Sequence, residues 1–293
     1  MYNIIKMELY RMVRMKSFYV MMLVMIAMTF ISTWAVDYEA SYYQEAAQES
    51  QQSLETAEQQ AEENLESVED ADGITIGMQV TAPGDDLSDI TIFDMMFSNF
   101  NGMIVAFYIA IFVVLFGGAD FTSGYIKNFV GQAKSRTCLV MGKAVAVSIY
   151  AVSMMLLFVP VQIAANGVFF GYIHWGDMGS FLSYFGVHMV LHIAFALICL
   201  AIVLTSRSTV ISMVLTISIC WNVLTLVYAG IDIIASKIGI KDFHFSTYTV
   251  SGRIGMLEQT FSRQDCIETL GVAAVYMILS FLIGSVIFTK KDI

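Results

Sequence analysis

Apolar residues run in six long stretches with few charges inside them: Ser17–Val36, Gly102–Ala119, Ala144–Asn166, Leu182–Thr205, Thr209–Ile231 and Thr269–Phe288. Each is apolar around its whole circumference rather than along one stripe. A bilayer core of about 30 Å needs roughly 20 helical residues, so each stretch is predicted to be a transmembrane helix. Alternation of apolar and polar positions, the mark of a membrane barrel, is absent from them. The predicted fold is an all-α integral membrane protein with six spans.

Between the spans the pattern changes character. At the start, Ile5, Leu9, Met12 and Val13 recur at helical spacing while Lys6, Arg11 and Arg14 supply a basic face. Residues 1–16 are thus predicted to form an amphipathic interfacial helix, either running straight into the first span or meeting it at an elbow. Tyr38–Ala71 is rich in Glu, Gln and Ala, with Ala47, Leu54, Ala61 and Val68 seven residues apart. That predicts a helix rising from the membrane with a weak coiled-coil-like seam. Ile74–Ala82 reads as strand-like before the Pro83-Gly84 turn. Leu87–Phe100 carries Ile90, Phe93, Met96 and Phe97 on one face and is expected to lie along the outer leaflet. Only Ser206-Arg207-Ser208 separates the fourth and fifth spans, a tight hairpin. Ile254, Leu257 and Phe261 predict short helices in the loop before span six.

Composition sharpens this. Of the residues, 57% are apolar and 14% charged, and the mean hydropathy is +0.70, against about 25% charged residues in an average soluble domain. The net charge of −10 is local: 16 of the 25 acidic residues lie in the segment 37–101, which has no Lys or Arg. Basic clusters sit at Lys6 to Lys16, Lys127 to Lys143, Arg207 and Lys290-Lys291. The positive-inside rule puts all four in the cytoplasm. N- and C-termini are then cytoplasmic, and 37–101 is a large acidic helical extracellular domain inserted between helices 1 and 2. Residues 120–143 form a cytoplasmic loop, 167–181 and 232–268 face out, and 289–293 make a cytoplasmic tail. Lys237, Lys241, Arg253 and Arg263 oppose the rule in 232–268. The first apolar run, about 20 residues, exceeds the roughly 7–15 of a signal peptide and is read as a retained helix.

Chemistry-bearing motifs are sparse. Cys138, Cys199, Cys220 and Cys266 have neither a disulfide framework nor metal-ligand spacing. His188 and His192 stand at i, i+4, a spacing that fits interhelical hydrogen bonding or placement at the outer interface better than metal or haem binding. No Gly-x-x-x-x-Gly-Lys-Ser/Thr loop and no His-Glu-x-x-His helix occurs, and the acidic outer face argues against nucleic acid. Catalytic residues: none are predicted, and no metal site. Polar residues inside spans that could line a path are Gln162, Asn166, Thr216, Asn222 and Thr225, although helix–helix hydrogen bonding is the commoner role of such groups. Pro160 and Gly117-Gly118 allow a kink and close packing.

The inner loop carries the strongest pattern. Phe121, Tyr125 and Phe129 recur at i, i+4, i+8, giving one helix face an aromatic stripe among Lys127, Lys134 and Arg136. Asp120, Gly124, Ile126, Lys127, Asn128, Ser135, Arg136 and Lys143 resemble the loop between the second and third spans of ABC-2 type permeases. Lys6-Met7-Glu8-Leu9-Tyr10-Arg11 resembles that family's elbow helix, and Phe288-Thr289-Lys290-Lys291-Asp292 its closing residues. The resemblance implies the non-catalytic membrane subunit of an ATP-binding-cassette exporter in a bacterial cytoplasmic membrane. ATP and Mg would be bound by two separate ATPase subunits, and a second permease copy or paralogue would complete the complex. Asp120, Phe121, Gly124, Tyr125, Ile126, Lys127, Asn128, Phe129, Ser135 and Arg136 would form the coupling helix. The lateral apolar surface and acidic outer segment suit an amphipathic, cationic antimicrobial or toxin peptide as substrate. Alternative readings are export of lipids or hydrophobic drugs, or a non-transporting membrane sensor that binds ligands through its acidic outer helix.

Overall fold

The computed structural model describes residues 2–57, 90–122, 136–240 and 243–290. Among these the chain is all-helical, without strands. The helices are α1 (Tyr2–Arg14), α2 (Lys16–Ala57), α3 (Ile92–Asn101), α4 (Ile104–Thr122), α5 (Arg136–Phe169), α6 (Met178–Ser206), α7 (Thr209–Cys220), α8 (Leu224–Lys237), α9 (Val250–Met256) and α10 (Arg263–Lys290), with a 3₁₀ turn at Phe245–Tyr248. Five of them (α2, α4, α5, α6 and α10) are long and apolar enough to cross a membrane, and α7 with α8 makes a sixth if the bent pair counts as one span. Several apolar helices of this length make it a multi-pass membrane protein.

Burial separates centre from periphery. α4 and α6 are enclosed over most of their length, whereas α2 and α10 bury only a narrow stripe. Phe112 of α4 stacks on Tyr150 of α5 with ring centroids 3.7 Å apart. Leu23, Ile31, Val275 and Leu282 remain exposed on the outer helices, as lipid contact requires. Gly117 and Gly118 let α4 approach the α6–α7 corner: a Cβ on Gly117 would stand 2.9 Å from Val203, and one on Gly118 would collide with Thr209.

The helices define two ends. α1, the end of α4, the start of α5, the α6–α7 corner and the end of α10 gather at one, where Gly142 abuts Ile4 and Gly284 abuts Leu204 and Val140. At the opposite end α3, α9 and their loops close the bundle. There Asn101 Nδ2 donates to the Leu257 carbonyl at 3.4 Å and Tyr184 Oη to Asn101 Oδ1 at 2.8 Å. A capping box starts α3, with Thr91 Oγ1 accepting from the Asp94 N–H at 3.1 Å and Asp94 Oδ2 accepting from the Thr91 N–H at 2.9 Å.

Several expectations are corrected. A break at Met15 sets the expected entry helix α1 apart from α2, and the expected helix from Tyr38 onward is, as far as Ala57, one continuous helix with the first span instead of a separate element. The apolar face of α3 packs on protein instead of lipid: Ile92, Phe93, Met95, Met96 and Phe100 are buried. An amphipathic pattern specifies an apolar neighbour without saying whether it is lipid or protein. α5 begins at Arg136, so 136–143 belongs to the helix of span three and not to a loop. Span five is not continuous: α7 and α8 meet at 64° across Trp221–Val223. Residues 58–89, including the strand-like Ile74–Ala82 and the seam positions Ala61 and Val68, lie outside the described residues.

Candidate functional site

α1 turns an unexpected face inward. Glu8 and Met12 are buried and Ile4 and Leu9 pack on the core, while Val13 is exposed. The i, i+3 spacing of Glu8 and Arg11 puts both on one face, aimed at the place where α4 ends and α5 begins. Asp120 arrives in the last turn of α4, and Lys143 two turns into α5.

These four residues close a ring of alternating charge. Lys143 Nζ lies 3.2 Å from Glu8 Oε1 and also pairs with Asp120. Arg11 pairs with Asp120, and its Nη2 lies 3.2 Å from Glu8 Oε2. The side chains of Glu8 and Asp120 are fully buried, Lys143 is 3% exposed and Arg11 21%. Phe116 provides a floor for both cations, with the Arg11 guanidinium carbon 4.7 Å and Lys143 Nζ 5.2 Å from its ring centre. Two anions and two cations cancel, which makes burial of all four tolerable. Loss of any one leaves an uncompensated charge in an apolar surrounding, at about 3–5 kcal/mol. The ring joins three elements, α1, α4 and α5, at the two ends of the 120–143 connection.

The proposed coupling residues divide accordingly. Asp120 is in the ring. Phe121 is half-buried and packs on the protein's own core. Arg136 opens α5, while Gly124, Tyr125, Ile126, Lys127, Asn128, Phe129 and Ser135 lie outside the described residues. Glu8, Arg11 and Lys143 belong to the site by geometry, although none of them lies on the aromatic stripe of Phe121, Tyr125 and Phe129. The available signal was a buried-side Glu and Arg on a short entry helix, together with a lone acid and a lone lysine at adjoining span ends.

The five polar span residues fall into three places. Gln162 and Asn166 meet inside α5: Gln162 Nε2 donates to Asn166 Oδ1 at 2.8 Å and to Thr33 Oγ1 of α2 at 3.0 Å. Thr216 is buried and returns its hydroxyl to the Ser212 carbonyl at 2.8 Å. Asn222 and Thr225 line a cleft beside the break between α7 and α8. Asn222 itself has φ 55°, a left-handed conformation that Asn tolerates better than most residues. His188 and His192 are buried on α6, the former stacked on Phe100 at 5.3 Å, and His192 Nδ1–H donates to the His188 carbonyl at 2.7 Å. Among the described residues no group of three His, Cys, Asp or Glu side chains could hold a metal ion.

An all-helical bundle with five or six membrane-spanning helices and a buried ionic ring at one end defines a multi-pass membrane protein. Residues 75–293 match the family described as "Protein of unknown function (DUF2705)", and the chain belongs to that family. The match takes in Asp120 and Lys143 but not α1 with Glu8 and Arg11. No curated protein matches the chain.

Proposed function

We propose that the protein is the membrane subunit of an ATP-binding-cassette exporter of amphipathic peptides. Separate ATPase subunits supply the energy, and a second copy or paralogue completes the translocation unit. The observation that carries this reading is the convergence of Glu8, Arg11, Asp120 and Lys143. They belong to two sequence stretches that independently resemble the elbow helix and inner loop of ABC-2 permeases, and they meet within salt-bridge distance.

In this reading the Asp120 end faces the cytoplasm and segment 37–101 faces out. An ATPase grips the 120–135 connection. Because Asp120 and Lys143 flank that connection and are locked to α1, a push on it moves α1, α4 and α5 together rather than flexing a loop. The bundle then switches between two packed states whose balance follows the nucleotide state of the ATPase.

The test is co-purification with the ATPase subunit. Tyr125→Asp with Phe129→Asp is expected to abolish it while the permease itself stays folded. Phe121 is left intact because it packs on the core. Undiminished ATPase binding by the double variant would remove the proposed contact.

A further inference from the structure

We propose that the cleft at the break in span five is a binding site for an organic cation, the amine of a lysine-bearing peptide. This rests on the peptide-export reading and adds to it a recognition site. The cleft measures about 330 Å³ and is lined by Asn222, Thr225, Tyr228, Asp232, Ser246 and Ser251 among others. Among the described residues that line it, none is basic. Two other clefts on the same side of the bundle mix signs, one holding Arg253 with Glu258 and Asp265 and the other Arg263 with Asp177.

Three features give the cleft a cation preference. α7 stops at Cys220, where the N–H groups of Trp221, Asn222 and Val223 bond the carbonyls of Ile217, Ile219 and Ser218, and the negative end of its dipole lies next to Asn222 at the rim of the cleft. Discontinuous membrane helices bind cations at such half-helix C-termini. Asp232 supplies a carboxylate: Oδ1 accepts the Phe245 N–H at 2.7 Å, and among the described residues Oδ2 faces the exposed His244 at 4.0 Å. Tyr228 adds an aromatic wall, with its ring 5.6 Å from that of Phe245 and its hydroxyl 2.9 Å from Ser251 Oγ. Irregular backbone at membrane depth is tolerated where it lines a polar cavity, which this cleft provides. Its volume exceeds the close coordination shell of a bare metal ion and suits an alkylammonium group with part of its stem.

The experiment uses the full chain in lipid nanodiscs and a fluorescent peptide of repeated Leu-Lys-Lys-Leu blocks, read by anisotropy. A peptide with Gln for every Lys is the uncharged control. Asp232→Asn keeps the acceptor for the Phe245 N–H and removes only charge, so it is expected to weaken Lys-peptide binding about tenfold or more, the loss of a charge-assisted contact. Asp232→Glu is expected to retain binding, as is Glu62→Gln with Glu63→Gln in the acidic segment. Butylammonium chloride is expected to compete where sodium chloride at equal ionic strength does not. Unchanged affinity in Asp232→Asn, equal binding of the Gln peptide, or equal displacement by sodium would each overturn the proposal. The assay contains no ATPase, so a failure to find a coupled ATPase leaves its outcome intact, and intact ATPase coupling would not rescue a failed site.

Discussion

Glu8 shows how much one side chain holds in place. It accepts contacts from Lys143 at 3.2 and 3.3 Å and from Arg11 at 3.2 Å, with no solvent exposure of its own. Glu8→Gln leaves two buried cations facing a single carboxylate, and Asp120→Asn does the same from the other side. Each is expected to cost about 3–5 kcal/mol, read as a large drop in the unfolding temperature of the detergent-solubilised protein. Because the ring is buried, moderate salt should change that difference little. Replacing all four residues by apolar ones of similar volume is expected to restore stability, since well-packed apolar side chains commonly match a buried ion pair. If coupling to an ATPase is also restored in that variant, the ring serves packing alone.

At the level of elements, the broken fifth span makes the sharpest prediction. Asn222 has φ 55°, so Asn222→Gly should be tolerated, while Asn222→Val places a branched side chain in the left-handed region at about 1–2 kcal/mol. Thermal unfolding of the two variants should separate them in that order, and equal stability would argue against the break. Asp177 caps α6 and is held below the ordinary carboxylate range, chiefly by the Ser180 side chain and then by the Ser180 and Gly179 N–H groups. A lowered folded-state pKa means that its contribution is present above the unfolded pKa and fades as the pH falls through the folded value. The acid-side loss should therefore shrink in Asp177→Asn, as seen in unfolding temperatures measured across acidic pH. The long apolar runs were legible because membrane-spanning length is a composition signal. The break was not, because Thr209–Ile231 holds no proline and the polar Asn222 is common enough in unbroken helices. The spacing of Phe93 and Met96 suits lipid and core equally, so the pattern of α3 alone does not reveal that the fold buries it.

For the molecule as a whole, α1 and the last turns of α10 meet the same end of the bundle through long-range contacts: Glu8 pairs with Lys143, 135 residues away, and Gly284 abuts Leu204 and Val140. Residue types at both positions were visible in the sequence, but no local pattern links an entry helix to a third span, so the ring was legible only as separate motif residues. The proposed orientation places the α6–α7 corner inside and the α5–α6 connection outside. In a cysteine-free background, Ser208→Cys should react with a membrane-impermeant thiol reagent only after the cells are opened, whereas His174→Cys should react on intact cells. The reverse pattern would invert the topology and with it the ATPase contact. The most direct measurement of the central claim is ATP-dependent uptake of a labelled amphipathic peptide into inside-out vesicles. They would be reconstituted with this chain, with its ATPase subunit, or with both. Uptake is predicted only when both are present and should fall sharply in the Tyr125→Asp, Phe129→Asp variant. Energised uptake by this chain alone, or no ATP-dependent uptake with both subunits assembled, would contradict it.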